Sequence, residues 1–144
     1  MYFQSAHDSK KLIREHYDCY QNAEQQILII NDRHFIRNML KIVFENMGYT
    51  VITADNGWDG MQQYQANHRN FDMVILDATL SNSGGLALLQ EIRGLNNEQK
   101  ILMITGNGEM QEVGERYKDQ QTVFFKLPFS LRKLAKTAAA MING

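Results

Sequence analysis

From residue 26 onward, short β-rich apolar runs alternate with longer amphipathic stretches, and that alternation leaves few folds open. The runs are Ile27 to Ile30, Thr50 to Thr53, Met73 to Leu76, Ile101 to Ile104 and Val123 to Phe125, one for each of five βα units. Strand followed by helix, repeated, is the signature of a parallel sheet, because each crossover must carry the chain back to the end where the last strand began. Most of the runs are apolar at consecutive positions, as strands covered on both faces require, so they read as core strands and not as edges.

The intervening segments carry helical spacing. Phe35, Ile36, Met39, Leu40, Val43, Phe44 and Met47 recur at intervals of three and four and predict one stripe packed on the sheet. Gly48 is placed to cap that helix, Asp55 or Asn56 to start the next, and Ser130 to start a last helix ending near Met141. Residues 1–5 look like the remnant of a cleavable purification tag, and 6–24, with a weak stripe of Leu12, Ile13, His16, Tyr17 and Tyr20, read as an extension or linker helix. The domain proper is expected to be 25–144, with no output domain after it.

Composition narrows the setting. At 144 residues and 44% apolar content the chain can bury a single core. A net charge of −1 gives no electrostatic footprint for nucleic acid or anionic lipid, so neither is expected as a direct partner. No apolar run approaches the roughly 18 to 20 residues that span a bilayer. A single cysteine, Cys19, cannot form an internal disulfide, which fits a reducing, cytoplasmic compartment.

In an open parallel sheet, ligands sit beyond the carboxyl ends of the strands. The first strand here ends in Asn31-Asp32, the third in Asp77 and the fourth in Thr105, while the fifth runs into Lys126-Leu127-Pro128-Phe129. Asp32 and Asp77, together with backbone oxygens and water, suit a hard divalent cation such as Mg²⁺. Such a cation neutralises charge in phosphoryl transfer, with Asp77 as the nucleophile. A hydroxyl from Thr105 and a lysine ammonium would hold the remaining phosphoryl oxygens.

These residues, taken in order, resemble the receiver domain of two-component response regulators over about residues 25–143. The matching motifs are Asn31-Asp32 with Arg37, then Gly48-Tyr49-Thr50-Val51 and Ala54-Asp55-Asn56-Gly57. The run Phe71 to Asp77 with Gly85 follows, then Ile92-Arg93, Met103-Ile104-Thr105 and Pro128-Phe129. The resemblance implies a flavodoxin-like doubly wound sheet of five parallel strands, order 2-1-3-4-5, with helices on both faces. It implies transfer of a phosphoryl group from a sensor histidine kinase or phosphotransfer protein to Asp77. Mg²⁺ would be held by Asp32, Asp77 and the backbone carbonyl of Thr79, with Asn31 bonding a metal-bound water. Thr105 and Phe124 would then switch a face, built by the fourth helix, fifth strand and fifth helix, that a downstream output protein or a second copy of the chain reads. Turnover of an external substrate is not expected; the chain would at most phosphorylate itself from a phosphodonor and dephosphorylate itself.

Three departures from that pattern stand out. Asn31 replaces the first of the family's paired acids, which lowers the attraction for Mg²⁺. Leu127 separates Lys126 from Pro128, whereas the family's Lys-Pro pair is contiguous. Counted without a gap, Leu127 takes the lysine slot, Phe124 takes the slot of the switch aromatic, and Lys126 points away from the phosphoryl site unless a bulge returns it. The loop Ala78 to Gly85 lacks the family's usual proline and is rich in flexible residues. An alternative is therefore a degenerate pseudo-receiver that binds partners without phosphorylation.

Other chemistries fail on spacing. The histidines His7, His16, His34 and His68 are not paired as zinc ligands are. Gly106-Asn107-Gly108 begins like a dinucleotide fingerprint but has Gln111 where the third glycine belongs. Aspartate-nucleophile phosphatases place a general acid two residues on, where this chain has Thr79, and no Walker-type loop is present. Trp58 reads as an exposed side chain near the start of the second helix.

Overall fold

The computed structural model describes residues 25–67, 70–80, 84–106 and 121–144. The elements are β1 (Gln26–Ile30), α1 (His34–Asn46), β2 (Thr50–Ala54), α2 (Gly57–Asn67), β3 (Phe71–Asp77), α3 (Gly85–Leu95), β4 (Ile101–Thr105), β5 (Thr122–Lys126) and α4 (Leu131–Asn143). All the strands pair in parallel, in the order β2-β1-β3-β4-β5, which is the doubly wound order expected from the sequence. The segment between β4 and β5, where the sequence places a further helix, falls at 107–120 and lies outside the described residues, as do the tag and extension at 1–24.

Alternation along the central strands feeds two cores. Leu28, Ile30, Val74, Leu76, Ile101 and Met103 face one side of the sheet, where Met61 and Tyr64 of α2 and Leu88, Leu89 and Ile92 of α3 close over them. Ile27, Ile29, Met73, Ile75, Leu102 and Ile104 face the other, under Leu40 and Phe44 of α1 and Leu134, Ala138 and Ile142 of α4. Each such side chain contributes roughly 1.5–3 kcal/mol on burial, which is why the three central strands, β1, β3 and β4, are apolar along most of their length.

Two expectations need correction. β2 and β5 are the edges of the sheet, not interior strands, and both are only partly buried. They remain apolar because helices flank even the outer strands of a doubly wound sheet. Phe35 is not part of the buried stripe of α1 but 77% exposed, as is Ile42 at 58%; the stripe that packs is Ile36, Leu40, Phe44 and Met47. The run of seven apolar positions covers more than one helical face, and the sheet receives only the side centred on Leu40 and Phe44.

The helix ends are as the sequence implies. Gly48 has φ +96°, and its N–H donates to the Glu45 carbonyl at 3.0 Å while Tyr49 N–H donates to Phe44 O at 3.1 Å. This double closure satisfies carbonyls that the end of α1 leaves open, and it stacks Tyr49 edge-on against Phe44 at 6.1 Å. Asn56 Oδ1 accepts from Asp59 N–H at 2.8 Å to start α2, and Ser130 Oγ accepts from Lys133 N–H at 3.2 Å to start α4. Trp58 is exposed, as expected, and the Leu127–Pro128 peptide bond is cis.

Candidate functional site

Register puts the chemistry at one edge. Ile30 lies beside Leu76 and Asp77 beside Ile104, so the residues that follow β1 and end β3 and β4 emerge together at the carboxyl side of the sheet. Asn31 and Asp77 are each 1% exposed and Thr105 is 7% exposed, a rare level of burial for polar groups without a task or a partner.

Asp77 is held asymmetrically. Its Oδ1 accepts from Thr79 N–H at 2.8 Å and from the Thr79 hydroxyl at 2.7 Å, while its Oδ2, equally enclosed, has no hydrogen-bond partner among the described residues. An orphaned carboxylate oxygen is costly and calls for a cation or a covalent partner. The turn that aims it depends on Gly85: a Cβ there would lie 2.2 Å from the Asp77 carbonyl oxygen and 2.5 Å from Ala78 Cα, so only glycine lets the start of α3 come this close.

Asn31 is fixed in a defined orientation. Its Oδ1 accepts from Arg33 N–H at 2.8 Å, which leaves Nδ2 as the buried group without a partner among the described residues. Its carbonyl accepts from Arg37 Nη1 at 2.9 Å, and Arg37 Nη2 meets His34 Nδ1 at 3.2 Å. Arg37 thus braces the loop after β1 from outside. Asp32, half-buried, follows directly.

The donor chemistry suits a hard cation: Asp77 Oδ2 lacks a partner among the described residues, and a second acid, Asp32, follows Asn31 on the neighbouring loop. The fit is thinner on the Asn31 side, which offers an amide donor where a second acid would offer an acceptor. Among the described residues, no cluster of three or more metal-ligating acids, histidines or cysteines forms.

Two expected residues stand elsewhere. The Thr105 hydroxyl donates to the Phe125 carbonyl at 3.4 Å, toward β5. Lys126 is exposed and lines a groove of about 610 Å³ with Phe124, Pro128, Phe129 and Lys133; among the described residues it makes no hydrogen bond or ion pair with Asp77. Leu127, next in the chain, packs on the α1/α4 side of the core, whereas Phe124 packs on the opposite side. Consecutive residues of a strand face opposite ways, so the leucine insertion decides where the ammonium goes.

Arg33 is the site residue that strand-end reading misses. Its Nη2 donates to Thr79 Oγ1 at 3.4 Å, across from β1 to the loop after β3. The available signal was its place directly after the Asn31-Asp32 pair.

A model of the response regulator receiver domain matches residues 27–139. Among curated proteins, the chain is 25% identical to a chemotaxis protein CheY of Bacillus subtilis over 119 residues, 82% of this chain and 98% of that one. It is 24% identical to sporulation initiation phosphotransferase F of the same organism, over 76% of this chain and 87% of that one. It is also 29% identical to a probable transcriptional regulatory protein of Picosynechococcus, of which it spans only 52%. In structure it resembles a response regulator receiver domain protein of Clostridium thermocellum, with TM-score 0.76 at 24% identity over 83% of this chain and 94% of that one.

Proposed function

The chain belongs to the response regulator receiver domain family of two-component signalling, and on that premise we propose that residues 25–144 form a phosphorylation switch whose acceptor is Asp77. The observation that carries this reading is the asymmetry of Asp77, one oxygen held twice by Thr79 and the other buried without a partner among the described residues. Thr79 fixes the carboxylate plane and leaves Oδ2 as the nucleophilic atom. In the transfer, a P–O bond forms at Oδ2 and the P–N bond of a phosphohistidine breaks. The electron pair returns to the imidazole, which takes up a proton from solvent. Hydrolysis of the acyl phosphate returns the carboxylate and frees inorganic phosphate.

Asp32, Asp77, the Thr79 carbonyl and, through water, Asn31 would hold Mg²⁺; when bound, it neutralises charge on the phosphoryl oxygens. Asp77 is enclosed, so the exposed Thr79 and its loop must give way for a donor to approach in line. Thr105 would turn its hydroxyl from Phe125 toward the phosphoryl group, and Phe124 would repack beside it. The added charge of about −1.5 to −2 is enough to bias such a two-state surface. The donor would be a sensor histidine kinase or phosphotransfer protein in the cytoplasm, and the reader an output protein or a second copy of the chain. Relatives include a sensor kinase of Vibrio cholerae and a regulatory protein ResD of Bacillus subtilis, which agrees with partners on both sides.

The position of Lys126 favours a second reading, a pseudo-receiver that binds partners without phosphorylation. Intact mass after incubation with Mg²⁺ and acetyl phosphate separates the two, with Asp77→Asn as control. A labile gain of one phosphoryl group, absent in the variant, supports the switch; no gain over a wide donor range supports the pseudo-receiver.

A further inference from the structure

Taking Asp77 as phosphoacceptor, we propose that Arg33 is the cation that holds a phosphoryl oxygen in this protein, in place of a lysine at the end of the fifth strand. Arg33 Nη2 donates to the Thr79 hydroxyl at 3.4 Å, and the same hydroxyl donates to Asp77 Oδ1 at 2.7 Å, so the guanidinium stands one hydroxyl away from the carboxylate. Its backbone is anchored at the rim: Arg33 N–H donates to Asn31 Oδ1 at 2.8 Å, and the Arg33 carbonyl accepts from Arg37 N–H at 3.0 Å as α1 begins. The side chain therefore swings from a fixed point.

The lysine alternative is directed elsewhere. Lys126 lies in the groove beside Phe129 and Lys133, and Leu127 packs against the core. Arg33, by contrast, is exposed and engaged at the site by one long hydrogen bond, a contact weak enough to exchange for a stronger one. A guanidinium has five N–H donors in a rigid fork, matched to two oxygens of a phosphoryl group. The buried Asn31 Nδ2, without a partner among the described residues, is a further donor at the same edge. Together they give the site two donors for an anion on the side where the family carries an acid. The same arrangement repels a divalent cation, so Arg33 acts with opposite sign on the two ligands.

That opposition supplies the test. Wild type, Arg33→Gln, Arg33→Lys, Lys126→Gln and Asp77→Asn are titrated calorimetrically with Mg²⁺ alone, and then with beryllium fluoride, a phosphoryl mimic, at saturating Mg²⁺. Arg33→Gln is expected to bind beryllium fluoride at least about tenfold more weakly and Mg²⁺ more tightly, with Arg33→Lys partly restoring the first. A merely structural role for Arg33 would weaken both ligands together. The proposal is overturned if Arg33→Gln binds beryllium fluoride as wild type does, if both ligands weaken, or if Lys126→Gln loses more than Arg33→Gln. If wild type matches Asp77→Asn in binding no beryllium fluoride and gaining no mass from acetyl phosphate, the phosphoacceptor reading itself fails and this one with it.

Discussion

Gly85→Ala is a single methyl that should damage fold and site together. The new Cβ would lie 2.2 Å from Asp77 O, 2.5 Å from Ala78 Cα and 2.9 Å from Asp77 C, and all of these are backbone atoms that cannot rotate aside. Relief requires the start of α3 and the Asp77–Ala78 segment to separate by about 1 Å, at the scale of a well-packed interior. Overpacking of this kind costs about 1–3 kcal/mol. The 3.3 Å bond from Gly85 N–H to the Ala78 carbonyl would go as well, for about 1 kcal/mol more. Alanine restricts the unfolded chain and returns about 0.4–1 kcal/mol, leaving a net loss of roughly 1–3.5 kcal/mol. With a urea slope of about 2 kcal/mol per molar, the midpoint should fall by about 0.5–1.8 M, followed by far-ultraviolet circular dichroism. Gly94→Ala is the matched control, in the same helix but with nothing within 4 Å of its Cβ, and it should hold or raise the midpoint. Because Thr79 rides on the displaced segment, Gly85→Ala should also slow phosphorylation well below the unfolding transition. A Gly85→Ala midpoint within about 0.2 M of wild type at unchanged slope would refute the reasoning, since it would mean the turn yields without cost.

Asn31→Asp should tighten Mg²⁺ binding by about tenfold or more in titration calorimetry, and lower stability without metal, because it buries a second carboxylate next to Asp77. Arg93 is 5% exposed and donates to the Gln99 carbonyl at 2.6 Å and to Thr122 Oγ1 at 2.5 Å, tying α3 to the amino-terminal edge of the sheet. Arg93→Met should remove both bonds and cost about 2–4 kcal/mol in urea unfolding without changing the site. Burial raises the Tyr64 hydroxyl above its usual pKa, against smaller lowering effects from Asn96 and Arg93. The unfolded chain ionises this tyrosine near pH 10 while the folded chain keeps it protonated, so its contribution is intact below about pH 10 and declines above it. The fall in the urea midpoint between about pH 9 and 11 should be shallower in Tyr64→Phe.

Strand positions and helix caps were legible because they rest on local patterns that packing reinforces, whereas the strand order came from the family resemblance. Five apolar runs, Gly48, Asn56 and Ser130 each state a backbone requirement that the neighbours in sequence already satisfy. Phe35 was misassigned for the complementary reason. Its spacing satisfies a helix, but spacing does not say how wide a stripe the sheet will cover, and that width is set by the β1 and β3 side chains opposite. Composition alone concealed the edge positions of β2 and β5, which the order implied by the resemblance requires, because helices flanking an outer strand impose the same apolar composition as burial between strands.

The acids at the site were legible for a topological reason, since a parallel sheet sends the end of every strand to one edge and the residue types there declare themselves. The cation was not. Lys126 carried the right charge at a strand end, yet side-chain alternation, with Leu127 turned into the core, directs it to the groove beside α4. Arg33 lies beyond the end of β1 in a loop, where no periodicity fixes direction, and only the Thr79 hydroxyl shows which way it turns. A charge on a strand is placed by the backbone, whereas a charge on a long side chain in a loop is placed by its partners. A receiver can therefore lose the lysine position and still keep a cation at the phosphoryl site, provided that a loop residue within reach finds an anchor such as Thr79. The sign of the Arg33→Gln effect on Mg²⁺ then measures how far the pocket has moved from binding cations toward binding anions, because Asn31 and Arg33 both shift it that way.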